Sequence, residues 1–152
     1  MFVRPVGPTD ADTVSACVGA LFNELRGNPP DTPHEFTRAQ ARAILAMRDR
    51  VFGFMLHDTD ARHPVGLIML TESAAFYAKG VYGLITELYI QPEHRSTGHA
   101  QLLLDAAAEF GRRRGWSMLE VGAPPQPKWQ RSHAFYVKSG FREIGPRLRI
   151  DL

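Results

Sequence analysis

The residues able to do chemistry are concentrated between positions 87 and 136. Arg95-Ser96-Thr97-Gly98-His99-Ala100 is a loop of small residues and hydrogen-bond donors that runs straight into an apolar-striped helix. A helix N-terminus leaves its first backbone N–H groups unpaired and carries a partial positive charge. Small residues there let an anion reach those groups, which is the physics of a phosphate site. Gly98 removes a side chain where close approach is needed, and Ala100 stays small for the same reason. Arg95 adds a donor fork, Ser96 and Thr97 add hydroxyls, and His94 and His99 flank the loop. An ordinary strand-to-helix turn has the same composition, so the loop alone leaves both readings open. The chain lacks a Gly-Lys-Ser/Thr ending and a GxGxxG run, which removes the Walker A loop and the dinucleotide fingerprint.

Glu87 lies inside an apolar strand sequence, LITELYI. A carboxylate there either faces solvent or sits in a cleft. In a cleft its pKa rises and it becomes a better base near neutral pH. Cys17 falls on the apolar face of a helix with no activating partner in the sequence, so it reads as core. His57, Asp58, Asp60 and His63 share a turn but lack metal-ligand spacing, and no metal is expected. Arg112, Arg113 and Arg114 read as compensation of a helix dipole rather than as a nucleic-acid patch.

The elements that must position these residues follow from pattern. Phe2–Val6 predicts a strand. Thr9 is the expected cap of a helix whose Val14, Cys17, Val18, Leu21, Phe22 and Leu25 keep helical spacing up to Gly27. Thr37 and Gln40 form a capping-box pattern, predicting a helix to about Arg48. Val51–Leu56 and Val65–Thr71 predict a hairpin, and Val81–Ile90 predicts a longer strand ending at Pro92. Gly98–Arg114 predicts a helix closed by Gly115. Trp116–Val121 predicts a strand, Ser132–Lys138 a last helix, and Phe141–Ile144 and Leu148–Leu152 two closing strands. The order β-α-α-β-β-β-α-β-α-β-β predicts an α/β fold, a mixed and mostly antiparallel central sheet flanked by helices.

The length of 152 residues suits one domain spanning 1–152. A net charge of +2 demands neither a nucleic-acid nor a membrane partner. No apolar run approaches the ~20 residues that span a bilayer. The single cysteine excludes an internal disulfide, and the N-terminus lacks a charged-then-apolar signal layout, so the expected location is cytoplasmic.

Leu88 through Ala100 resembles the acyl-CoA loop of the GNAT acetyltransferase superfamily. That pattern, Gln/Arg-x-x-Gly-x-Gly/Ala after a strand and before a long helix, is filled by Arg95, Gly98 and Ala100. Ala134-Phe135-Tyr136-Val137-Lys138-Ser139-Gly140-Phe141 resembles the family's Phe-Tyr-x-x-x-Gly-Phe segment. The resemblance implies that N–H groups of Arg95, Ser96, Thr97, Gly98, His99 and Ala100 hold the pyrophosphate of acetyl-CoA. It implies that strand 81–90 splays from strand 116–121 to admit the pantetheine arm, and that an amide near Leu88 or Ile90 polarises the acetyl carbonyl. It also implies a base role for Glu87 and an acid role for Tyr136, near the CoA sulfur. The family often has asparagine seven residues before this tyrosine; here that position is Trp129.

The expected function is therefore acetyl transfer from acetyl-CoA, with no metal, to a primary amine of a small molecule or peptide. The alternative is a CoA-binding sensor of the same fold that does little chemistry. In this family the acceptor end is built by the first two helices, their loop and the hairpins, which here include Phe22, Asn23, residues 28–36, Phe76 and Tyr77. Asp31 and Glu35 are either attractors of a cationic amine or ordinary loop charges. The closing strands would offer an edge for pairing across a homodimer.

Overall fold

The computed structural model describes residues 1–152. Five strands form one sheet in the order β1-β2-β3-β4-β5: β1 (Phe2–Pro5), β2 (Val51–His57), β3 (Gly66–Ala75), β4 (Gly80–Ile90) and β5 (Leu119–Val121). The first four pair antiparallel, and β5 joins β4 in parallel. The mixed, mostly antiparallel sheet expected from the sequence is the one observed. Four helices cover it: α1 (Ala11–Arg26), α2 (Arg38–Leu45), α3 (His99–Arg114) and α4 (Gln130–Lys138).

The sheet separates two cores. Met55, Leu67, Met69 and Tyr89 pack with Val14, Cys17 and Val18 of α1 and Leu45 of α2. Leu56, Ile68, Leu70 and Ile85 pack with Leu103, Leu104 and Ala107 of α3 and Tyr136 of α4. Neighbours in one strand, such as Leu67 and Ile68, thus serve opposite cores, because side chains alternate across a strand. A sheet covered on both faces reads as continuous apolar runs, which is why these strands were visible in the sequence.

Several local expectations hold. Thr37 accepts from the Gln40 N–H at 3.2 Å while the Gln40 side chain accepts from the Thr37 N–H at 2.8 Å, a closed capping box. Gly27 and Gly115 close α1 and α3 in the left-handed conformation.

Others are corrected. Thr9 is not the cap of α1, because a 3-10 turn over Pro8–Asp10 precedes that helix and Asp10 takes the cap position. The Asp10 carboxylate is held instead by two bonds from Arg4, both 2.8 Å, and one from the Gly7 N–H at 2.7 Å. Helix α2 stops at Leu45, and β5 is confined to Leu119–Val121. The two closing strands do not form: residues 141–152 are irregular, and Leu148, Ile150 and Leu152 are exposed. Their alternation suits a strand, but a strand exists only against a partner ladder. Three-residue β5 offers a short edge, Gly145-Pro146 interrupts the run, and Arg147 meets the end of β5 through its side chain, against Gly122.

Candidate active site

The site begins with an irregularity in β4. Met69 pairs with Glu87 and Leu70 with Ile85, so Thr86 is an extra residue with no partner on β3. Such a bulge bends its strand and re-aims side chains. Here it reverses the alternation, so that Ile85 and Leu88 both face the α3 core.

The same bulge decides which amides are free. The Gln91 N–H donates to the Val65 C=O at 2.9 Å. Antiparallel ladders alternate bonded and non-bonded pairs, so Tyr89 and Glu87 turn their backbone groups toward β3, and Leu88 and Ile90 turn theirs away. On that side β5 pairs only with Gly83, Leu84 and Ile85. β5 itself ends at Val121, opposite Ile85. The N–H groups of Leu88 and Ile90 thus face an edge with no strand to receive them. The Ile90 C=O, facing the same way, accepts from Arg95 Nε at 2.8 Å.

The loop at the end of β4 carries more free donors. A 3-10 turn over Pro92–His94 leads to Arg95, whose N–H is used within that turn. The next five N–H groups, of Ser96, Thr97, Gly98, His99 and Ala100, meet no acceptor in the chain. Ser96 at φ 65° and Gly98 at φ 84° are both left-handed, which turns successive amides toward one mouth. A Cβ on Gly98 would meet nothing within 4 Å, so the conformation, not space, calls for glycine. The loop side chains are largely committed elsewhere: Thr97 Oγ1 donates to the His94 C=O at 2.8 Å, and His99 Nδ1 lies 3.0 Å from the same oxygen. Arg95 is tied to Ile90 and, through Nη2, to Glu24 at 2.7 Å, so its fork is not spread over the loop mouth. The five amides, not the arginine, are the uncommitted donors at the loop mouth, and a set of unpaired N–H groups is chemically suited to an anion such as a pyrophosphate.

The sequence profile of the Acetyltransferase (GNAT) family matches residues 19–141. The chain belongs to that family. A ribosomal-protein-alanine N-acetyltransferase from Brucella melitensis biovar Abortus 2308 has a similar structure, with TM-score 0.75 and 18% identity over 100% of both chains. An aminoglycoside acetyltransferase from an uncultured soil metagenomic sample superposes with TM-score 0.77 and 21% identity, over 99% of this chain and 97% of that one. A second such enzyme from soil, solved with sisomicin, gives TM-score 0.79 and 13% identity over 99% and 95%. Identities this low establish a shared fold. No curated protein sequence matches the chain.

In this GNAT chain the two expected proton-handling side chains lie on opposite faces of the sheet. Glu87 shares the α1 face with Tyr89 and is half-buried; loss of solvent raises its carboxyl pKa, partly offset by a hydrogen bond from Thr86. Tyr136, on α4, is 8% exposed in the α3 core, and burial lifts its phenol to about 12. Its hydroxyl has no partner yet is not sealed from solvent, since no buried side-chain polar atom lacks a bond. Leu88, Ile90 and Tyr136 belong to the same apolar cluster, which places the Tyr136 ring on the α3 face of the sheet.

The remaining chemistry-bearing residues are structural. Cys17 is buried, and burial raises its thiol to about 11, far from a nucleophilic thiolate. His57 accepts from Arg4 Nε at 3.2 Å and stacks on Phe2. No cluster of three His, Cys, Asp or Glu residues is arranged to hold a metal. Trp129 occupies the cap position of α4 with Lys128 over its ring at 5.5 Å. A cavity of about 1290 Å³ lies between α3, β5, α4 and the irregular tail; Tyr136 lines it, but no residue of the 95–100 loop does.

Three features escaped sequence reasoning. Glu24 has no local signal, because its partner lies 71 residues away. The bulge at Thr86 is a matter of register between strands. The third is the seating of the α1–α2 loop: a Cβ on Gly19 would occupy the space of the His34 ring, and Asn23 Nδ2 donates to the carbonyls of Pro30 and Thr32 at 3.2 and 3.0 Å. His34 stacks on Phe36, which meets Phe22 edge-on.

Proposed function

We propose that residues 1–152 act as one N-acetyltransferase domain that moves the acetyl group of acetyl-CoA directly to a primary amine. The observation that carries this reading is the run of five unpartnered N–H groups, Ser96 to Ala100, at the mouth of α3 beside an open strand edge. These amides would hold the pyrophosphate, and the open edge beyond Ile85 would take the pantetheine arm. Bound there, acetyl-CoA supplies an activated thioester carbonyl. The Leu88 or Ile90 N–H would donate to the carbonyl oxygen as negative charge develops on it.

Glu87 is assigned as the base that removes a proton from the incoming ammonium, directly or through water. Its raised pKa supports that role, since a base is most effective when its pKa approaches the working pH. Tyr136 is assigned as the donor to the departing sulfur. With its phenol at about 12 it stays protonated at neutral pH. Complete transfer of that proton to a free thiolate of pKa ~8.5 would be uphill by about 5 kcal/mol. Hydrogen-bond donation is therefore its contribution; as the C–N bond forms and the C–S bond breaks, the nitrogen sheds its second proton, which reaches the thiolate through water.

The acceptor approaches on the α1 face, where Glu87 lies and the loop over residues 28–36 is clamped. Glu35 there is engaged by Arg26 at 2.8 Å. That leaves Asp31 as the loop carboxylate without an ion-pair partner, suited to a cationic small molecule or peptide amine. No helix is long and apolar enough to cross a membrane. A cytoplasmic site of action suits the reduced, buried Cys17.

Thermal unfolding titrated with acetyl-CoA, CoA and a nucleotide lacking the pantetheine arm tests the assignment. A ligand at 100 times its Kd adds about 2.7 kcal/mol of stability. Stabilisation by both CoA compounds and little by the nucleotide is the expected result. Stabilisation by none of them at millimolar concentration overturns the acetyltransferase reading; binding without turnover on any amine would favour a sensor.

A further inference from the structure

Glu24 is oddly placed for a surface carboxylate. It lies in the last turn of α1, where the helix dipole disfavours negative charge. Its Oε1 nevertheless receives Arg95 Nη2 at 2.7 Å, and the two side chains are only 31% and 33% exposed. The same guanidinium donates through Nε to the Ile90 C=O and lies 5.8 Å from the centre of the Tyr89 ring. One arginine thus joins the last turn of α1 and the end of β4 at the start of the 95–100 loop.

The geometry points to Glu24 as a positioning residue that presets the phosphate-binding amides from the acceptor side of the molecule. Ser96, immediately after Arg95, is held at φ 65°, a conformation that a non-glycine residue adopts only when its surroundings impose it. Arg95 itself is extended, at φ −80° and ψ 159°. Two bonds on its side chain, one at each end of the fork, restrict the peptide that leads into Ser96. Glu24 supplies the charged one. Without it the guanidinium keeps only the Ile90 carbonyl, and Ser96 is free to relax. The five amides then lose their common aim before any ligand arrives, and ordering them again lowers affinity. The helix carrying Glu24 also carries Gly19 and Asn23, which seat the α1–α2 loop. Acceptor helix and cofactor loop are therefore mechanically joined.

This inference rests on the CoA reading above, and the test separates the two. Acetyl transfer by wild type, Glu24→Ala and Glu24→Gln is measured with two donors, acetyl-CoA and S-acetylpantetheine, which lacks the pyrophosphate; CoA binding is followed by calorimetry. In Glu24→Ala the Kd for CoA and the KM for acetyl-CoA should rise about tenfold, the scale of one charge-assisted restraint on a preorganised loop. Neither kcat nor kcat/KM with S-acetylpantetheine should change by more than about twofold. Glu24→Gln keeps an acceptor oxygen, so it should fall between Ala and wild type. Equal losses with both donors would mean that Glu24 merely supports α1. Unchanged CoA affinity in Glu24→Ala would likewise overturn the positioning role while leaving the CoA site intact. A wild-type protein that does not bind CoA removes both readings together.

Discussion

The two glycines that bracket α3 allow a matched test of the proposed anion site. Gly98 opens the helix at φ 84° and Gly115 closes it at φ 80°, and a Cβ on either would meet nothing within 4 Å. Alanine at each position therefore carries the same penalty, the left-handed strain of an L-residue, ~1–2 kcal/mol. In Gly115→Ala that strain lowers Tm by about 2–8 °C for a chain of this size, whereas in Gly98→Ala the free loop can turn to shed it and Tm should fall by less. The two variants should also differ in binding. In Gly98→Ala the strain is relieved by turning the peptides on either side of residue 98, which are among those that would face the pyrophosphate. Binding must restore them and pay back that strain, so the Kd for CoA should rise about 5- to 30-fold, since 1.4 kcal/mol is a factor of ten. In Gly115→Ala the strained residue is at the far end of a 16-residue helix, and affinity should be unchanged. Melting curves and isothermal titration with CoA on both proteins suffice. Equal affinities in the two variants would refute the argument that the amides around Gly98 form the site.

Glu87→Gln should lower kcat by ~10²–10⁴, the usual worth of a general base, and abolish an acid limb of the pH–rate profile that lies above the ordinary glutamate range, as the raised pKa requires. The same substitution should stabilise the fold at neutral pH. A carboxyl whose folded pKa is raised contributes its stability below its unfolded pKa and loses it as pH rises through the folded value, so the gain in Tm should vanish near pH 4 and below. Tyr136→Phe should cost ~10- to 100-fold in kcat, as expected for one hydrogen bond to a developing charge, while CoA affinity holds. Because the hydroxyl has no partner in the chain, its melting temperature should barely move. Gly19→Ala should displace the His34 ring and lift the 28–36 loop, raising KM for the amine several-fold and leaving CoA binding unchanged in calorimetry.

Much of the fold was legible in the chain because its determinants are local. The capping box at Thr37 and Gln40, the left-handed Gly27 and Gly115 and the apolar stripe of α3 each act within a turn or two of backbone. Continuous apolar runs marked β2, β3 and β4 as strands covered on both faces. The donor-rich loop before α3 was legible for the same reason: a strand, a turn and a helix mouth are contiguous in sequence. Local pattern misled where a partner was required. Leu148, Ile150 and Leu152 alternate like a strand yet lie exposed and unpaired, and nothing local announced that the Arg95 side chain is bound to Ile90 and Glu24.

By itself, then, the sequence determined the helices and their caps, the strand runs, and the small, amide-presenting loop at residues 95–100. Only the tertiary structure decided that Thr86 is skipped by β3, that β5 stops opposite Ile85, and that Glu24 reaches Arg95. The physical reason is range. Caps and periodicity are short-range properties of one segment, whereas register, strand extent and ion pairing depend on which distant segment arrives alongside. The open edge that would receive the thioester belongs to the second kind: it comes from a β5 that pairs with β4 for three residues and then ends.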